Sequence, residues 1–204
     1  MRSSRFTTRT WSALPAVAAA LFLVVSCSAS ALPTVETPSG TVGDEGIRQT
    51  DAAGKRLPFD TRHRNRWSAA NDGTTYEPCT ALASTELDAL GLLSSSARDA
   101  AGTDGQTLRG CVWSFAGDGE SAWELSQFVG NSLSLSADKK KRSAPADVWM
   151  TDLTIASRQV GVHRLADGAD CATYVQSGAA GVYTLVVHSG LPHPPADEIC
   201  ARAI

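Results

Sequence analysis

Beyond residue 25 this 204-residue chain has no apolar run long enough to span a bilayer, so no membrane segment is expected after its first stretch. It has no Cys-x-x-Cys pair, which removes zinc-ribbon and thioredoxin-like readings. There is no phosphate loop. Gly119-Glu120-Ser121-Ala122-Trp123 begins like a nucleophile elbow, but Trp123 stands where the sharp turn needs a second glycine, so it reads as a polar turn entering a strand. The carboxylates come in scattered pairs (Asp44 and Glu45, Glu86 and Asp88, Asp118 and Glu120, Asp167 and Asp170, Asp197 and Glu198) that lack the fixed offsets of a calcium loop. Histidines are few: His63, His163, His188 and His193. His188 and His193 flank a proline loop near Asp197, which does not impose tetrahedral ligation, so they are expected at the surface. No cofactor, no metal, no catalytic residue and no enzymatic activity are predicted.

What is present begins at the N-terminus. Arg2, Arg5 and Arg9 precede an apolar stretch, Ala13 to Val25, followed by small residues. This is the layout of an export signal. Its end has two readings. A signal peptidase would cut near Ser28-Ala29-Ser30, whereas Val24-Val25-Ser26-Cys27 resembles a bacterial lipobox, in which the cysteine is acylated with diacylglycerol. The lipobox is favoured because removing Cys27 leaves an even four cysteines for disulfides. Residues 1–26 are thus expected to be a lipoprotein signal and Cys27 a membrane anchor whose two or three acyl chains hold firmly. Loss of the signal leaves 15 basic against 21 acidic side chains, a net of −6, which argues against nucleic-acid binding.

Residues 27–57 are rich in Ser, Thr, Pro, Gly and Ala and are predicted to form a disordered tether with a reach of roughly 30 Å. Residues 58–204 then form one globular domain. Leu82, Leu87 and Leu90 recur at helical spacing, with Ser84 or Thr85 as cap and Gly91 as stop. From Gly110 the period becomes two: Cys111, Trp113 and Phe115, then Trp123, Leu125 and Gln127 after Gly117-Asp118-Gly119, predict a hairpin that Leu133 and Leu135 extend. Lys139 to Arg142 reads as a solvated connector, with a short helix and strand material after it around Val160 and Val162. Cys171 to Ser177 and Val182 to Ser189 predict a second hairpin, and residues 194–204 a terminal helix. The order predicts an α+β fold, a mainly antiparallel sheet with an N-terminal and a C-terminal helix.

Cys79, Cys111, Cys171 and Cys200 lie in a domain expected to be exported, where disulfides persist. Three pairings are open; Cys79–Cys111 with Cys171–Cys200 is preferred, each tying a helix edge to a strand.

Tyr76-Glu77-Pro78-Cys79, a helix ending in Leu90-Gly91-Leu92, Gly110-Cys111-Val112-Trp113 and two late cysteines follow the lipobox and tether in this order. The pattern resembles a group of actinobacterial lipoproteins, the mycobacterial LprB type, that share the domain of unknown function 3558. The resemblance covers roughly residues 57–204 and implies a cell-envelope lipoprotein without assigned catalysis. Few residues follow Cys200, so a last helix short for that group is expected. By analogy the sheet resembles the Mog1/PsbP-like architecture of other envelope lipoproteins.

Two basic clusters stand out in the acidic chain: Arg62, Arg64 and Arg66, and Lys139, Lys140, Lys141 and Arg142. They are candidates for contact with anionic lipid heads, the alternative being solvated loops. Trp113, Trp123, Trp149, Tyr174 and Tyr183 are core candidates by alternation, with a ligand cleft as the alternative. Together these features predict a non-enzymatic binding module for a lipid, glycan or other envelope ligand. An accessory role with a protein partner in a membrane or cell-wall complex is the alternative, and an envelope enzyme without a recognisable motif the third.

Overall fold

The computed structural model describes residues 46–117, 122–166 and 168–204. One antiparallel sheet organises them. Its strands are β1 (Arg98–Asp99), β2 (Arg109–Ser114), β3 (Trp123–Asn131), β4 (Asp147–Trp149), β5 (Leu153–Ile155), β6 (Arg158–Leu165), β7 (Asp170–Ser177) and β8 (Ala180–His188). The order across the sheet is β1-β2-β3-β8-β7-β6-β4, with β5 pairing the other half of β6. Four helices accompany it: α1 (Pro78–Ala81), α2 (Ser84–Ala89), α3 (Leu135–Lys141) and α4 (Ala196–Ala203).

Alternation along the strands sorts the side chains onto two faces, because paired residues of an antiparallel ladder point the same way. Trp113 pairs with Leu125 and Leu125 with Val186, which pairs with Cys171. These residues face α1, α2 and α4. Two buried clusters result on that side. One joins Trp123, Val162, Val186 and Ile199. The other joins Leu57, Leu87, Leu92 and Trp113, and Phe115 and Leu125 pack against both. Each such side chain contributes roughly 1.5–3 kcal/mol by leaving water. The opposite face carries Phe128, Tyr183 and Tyr174 in register, and α3 lies over it.

Glycines permit the close approaches on this second face. A Cβ on Gly181 would lie 2.4 Å from Tyr174 Cε2, and one on Gly161 would lie 2.4 Å from Leu135 Cδ1 and 3.0 Å from Trp149 Cζ3. Side chains there would lift Tyr174 off the sheet and push α3 away.

Several expectations are corrected. Residues 46–57 belong to the fold rather than to a tether: Thr50 bridges Arg56, Gln49 exchanges hydrogen bonds with the Thr61 backbone, and Leu57 is buried. Composition hid this because polar bonds, not apolar mass, hold the segment. The predicted leucine helix is two helices, since Leu82 and Ala83 are extended. Its second part starts at Ala83, whose N–H donates to the Glu86 carboxylate at 2.7 Å, rather than at a Ser84 or Thr85 cap. Leu135 and the lysine-rich connector instead form α3, and Leu133 lies in the exposed bend before it: Ser134 Oγ accepts from Ala137 N at 3.1 Å, and the basic last turn suits the helix C-terminus. The segment before β6 is not helical but forms β4 and β5.

Cys171 and Cys200 form a disulfide that ties α4 to β7. The other expected pair, Cys79 and Cys111, is present as two buried free thiols. The Cys79 thiol donates to the Gly110 carbonyl at 3.2 Å and accepts from Arg66 Nη2 at 3.2 Å. Burial first, and then the Cys111 thiol, push its acidity far down, so it stays protonated.

Candidate functional site

Between α3 and the sheet lies a cavity of about 210 Å³. Its walls are aromatic: Phe128, Tyr174 and Tyr183 rise from β3, β7 and β8, and Trp149 closes the β4 side. Trp149 packs on the His163 ring at a centroid distance of 5.0 Å, and Tyr174 meets Tyr183 edge-on at 5.2 Å. The register places these rings together, because Phe128 pairs with Tyr183, Tyr183 with Tyr174, and Trp149 with His163.

A few polar groups punctuate the wall. His163 Nε2 lies 2.7 Å from Asp147 Oδ1. Asp138 hangs from α3 and is 4% exposed. Its Oδ1 accepts from the Tyr183 hydroxyl at 2.8 Å, while its Oδ2 has no hydrogen bond and only the Arg142 Nε at 3.6 Å. Burial, reinforced by the hydrogen bond and charge of Asp138, pushes the Tyr183 phenol up, so it remains a neutral donor to that carboxylate. Lys139 and Arg142 lie over the Trp149 and Tyr183 rings at 5.4 and 5.6 Å. The arrangement presents flat apolar faces beside a carboxylate oxygen with acceptor capacity to spare.

On the other side of the domain an ion network replaces a predicted surface cluster. Arg66 was expected among lipid-facing cations but is fully buried, at 0% exposure. It donates to both Glu77 carboxylate oxygens at 2.8 Å, to Asp99 at 3.1 Å and to the Gly110 carbonyl. Arg109 donates to Glu77 at 3.1 Å and to the Tyr76 and Thr74 carbonyls. Burial alone would raise the Glu77 carboxyl, but the hydrogen bonds and charges of Arg66 and then Arg109 reverse this and hold it below the usual carboxylate range. Glu77 also caps α1 by accepting from Cys79 N at 3.3 Å. The motif Tyr76-Glu77-Pro78-Cys79 is therefore a structural keystone: its acid binds two arginines, and its proline starts the helix.

The remaining predicted residues are dispersed. Arg62, Arg64, Lys140, Lys141 and Arg142 are exposed, whereas Lys139 is engaged with Asp152 at 2.6 Å. His188 packs against Trp123 and lies 6.2 Å from the His193 ring. His63 meets Asp104 at 3.4 Å. Among the described residues no group of three His, Cys, Asp or Glu side chains is placed to hold a metal. Trp113 and Trp123 are core residues, while Trp149, Tyr174 and Tyr183 line the cavity. Cys27, Asp44, Glu45, Asp118, Glu120, Ser121 and Asp167 lie outside the described residues. Sequence reasoning missed Asp138 and Asp147. The available signal for Asp138 was Ser134, whose capping preference announces a helix with Asp138 and Arg142 one turn apart.

The described residues thus form an antiparallel α+β domain with a helix-covered aromatic cavity and few polar groups. Residues 22–204 match the family described as Protein of unknown function (DUF3558), and the chain belongs to that family. No curated protein and no solved structure matches it. Among the described residues no helix is long and apolar enough to cross a membrane.

Proposed function

We propose that this protein is an extracytoplasmic, lipid-anchored binding module without catalytic activity, held to the membrane by diacylglycerol on Cys27. Residues 1–26 would be its signal, with the actinobacterial LprB-type lipoproteins as analogues and a Mog1/PsbP-like architecture by analogy. Adjacent Cys79 and Cys111 support a second disulfide in the exported protein, formed when an envelope thiol oxidant accepts the two electrons and two protons. Arg62, Arg64, Lys140, Lys141 and Arg142, all exposed, are the candidate contacts with anionic lipid, whereas Arg66 is buried and Lys139 is engaged with Asp152.

One observation carries the binding reading: the aromatic cavity beneath α3 with the unsatisfied Asp138 oxygen. Flat rings stack on the apolar faces of a sugar, and a carboxylate accepts from its hydroxyls, so a glycan ring suits this wall better than a bare hydrocarbon. The test is titration of the full chain with N-acetylglucosamine while Trp149 fluorescence is followed. Saturable change in the wild type, lost in Trp149→Ala and weakened in Asp138→Asn, supports the reading. Equal responses in wild type and Trp149→Ala refute it.

A further inference from the structure

The cavity beneath α3 runs across the strands. Trp149 of β4 closes one end, Tyr174 of β7 and Tyr183 of β8 lie between, and Phe128 of β3 stands at the other end beside Leu108, the residue before β2. Phe128 and Leu108 also line a second, more open cleft of about 350 Å³. The rest of that cleft is the loop joining β1 to β2: Ala100, Thr103, Gly105, Gln106 and Thr107. Gly130 brings the two border residues together. It lies two residues along β3 from Phe128, hence on the same face, and a Cβ on it would run into Leu108 Cδ2. Both border side chains are only half-buried, so cavity and cleft form one groove on this face of the sheet.

The loop that walls the cleft is braced from within. Gln106 Oε1 accepts from Gly102 N at 2.7 Å and from Thr103 N at 3.2 Å, and Gln106 Nε2 donates to the Ala100 carbonyl at 3.3 Å. Ser68 Oγ donates to the Gln106 carbonyl at 3.3 Å and so ties the loop to the segment before α1. Thr103 and Thr107 are exposed on this braced loop. Their hydroxyls can both donate and accept.

Size and chemistry select the occupant. At about 210 Å³ the cavity alone is smaller than the roughly 300–1,000 Å³ of typical ligand sites, and with the cleft added the groove falls inside that range. A hydrocarbon chain gains nothing from the threonines. A peptide adds most readily to a free strand edge, whereas β3 and β8, which carry the middle of the groove, both lie inside the sheet. A linear glycan repeats, at every unit, an apolar ring face and a rim of hydroxyls. One ring against Phe128, Tyr183 and Trp149 therefore carries its neighbour over the Phe128 border towards the threonines. Resting on the glycan reading of the cavity, we infer that the site takes two or more linked sugars, the first ring beneath α3 and the next over Leu108 and Phe128 against Thr103 and Thr107.

Calorimetric titration of the full chain with N-acetylglucosamine and with its β-1,4-linked dimer tests this. The dimer should bind at least about tenfold more tightly, beyond the statistical advantage of two equivalent rings, since tenfold is the worth of one or two neutral hydrogen bonds. Gly105 lines the cleft and a Cβ on it meets nothing within 4 Å, so Gly105→Leu is accommodated and fills space that the second ring needs. In that variant the dimer should fall to the affinity of the monomer, and the monomer should bind as in the wild type. Thr107→Ala should weaken the dimer alone, about two- to tenfold for one lost hydrogen bond. Equal affinities of monomer and dimer in the wild type overturn the extended site and leave the cavity reading intact. A dimer advantage that survives in Gly105→Leu and in Thr107→Ala overturns the assignment of the second ring to this cleft. If neither sugar binds, the glycan reading of the cavity itself has failed, and the extension falls with it.

Discussion

Replacing Glu77 by Gln tests the buried ion network most directly. The side chain accepts from Arg66 twice, from Arg109 and from the α1 backbone, and both arginines are almost fully buried. Gln has nearly the same shape but turns one acceptor into a donor that faces guanidinium N–H groups, and it leaves the pair of arginines with one carboxylate, Asp99, instead of two. Removing one partner from a buried pair costs about 3–5 kcal/mol, because an uncompensated charge stays inside. A domain of this size is stable by about 5–15 kcal/mol in all, so the variant should lose a large fraction of its stability, with Tm falling by roughly 6–20 °C.

Urea denaturation and calorimetry of the wild type and Glu77→Gln at neutral pH measure this, and a pH series supplies the second reading. The folded Glu77 is held below the ordinary glutamate value of 4.5, so its contribution is fully present above pH 4.5 and is lost as pH falls through the lowered folded value. The gap between wild type and variant should therefore be constant near neutrality and narrow below pH 4.5. A loss under about 1 kcal/mol, or a gap that widens in acid, would refute the assignment of Glu77 as the charged centre of the network.

Three further outcomes are expected. The double variant Cys171→Ser/Cys200→Ser, which opens a loop of sequence separation 29, should lose about 3.5 kcal/mol on the loop-entropy account, read as a shift in the urea midpoint; an unchanged midpoint would mean that α4 packing alone holds the helix. Gly161→Ala should cost about 1–3 kcal/mol and shift Trp149 emission, since the new methyl enters the space of Leu135 and Trp149; stability equal to wild type would show that α3 is free to move outward. Intact mass of the protein taken from native membranes should begin at Cys27 with acyl groups attached. A mass beginning near Ala31 without lipid would remove the anchor from the proposed function.

Much of the fold was legible because it rests on short-range pattern. Alternation around Trp113 and Leu125 named the first hairpin, and the Gly178 to Gly181 stretch named the second. What alternation could not assign was which face meets what. Trp113, Trp149 and Tyr183 all read as core, yet Trp149 and Tyr183 wall a cavity, because Gly161 and Gly181 leave room and α3 crosses above them. The lysine run looked like a solvated connector because charge dominates its composition, while Ser134 and the helix dipole organise it.

By itself, then, the sequence carried the two hairpins, the terminal helix and the family to which the chain belongs, since periodicity and motif order are properties of the chain alone, whereas the cysteine pairing stayed open until the fold set Cys171 beside Cys200. Tertiary structure decided the rest. Arg66 sits in a run of alternating arginines that resembles a surface patch, and only the meeting of Glu77, Asp99 and the Gly110 carbonyl around it makes burial of its charge favourable. Asp138 and Trp113 are ordinary residues in the sequence. An Asp138 oxygen without a hydrogen bond and an unpaired Trp113 N–H exist only once the helices close over the two faces of the sheet and exclude water from them.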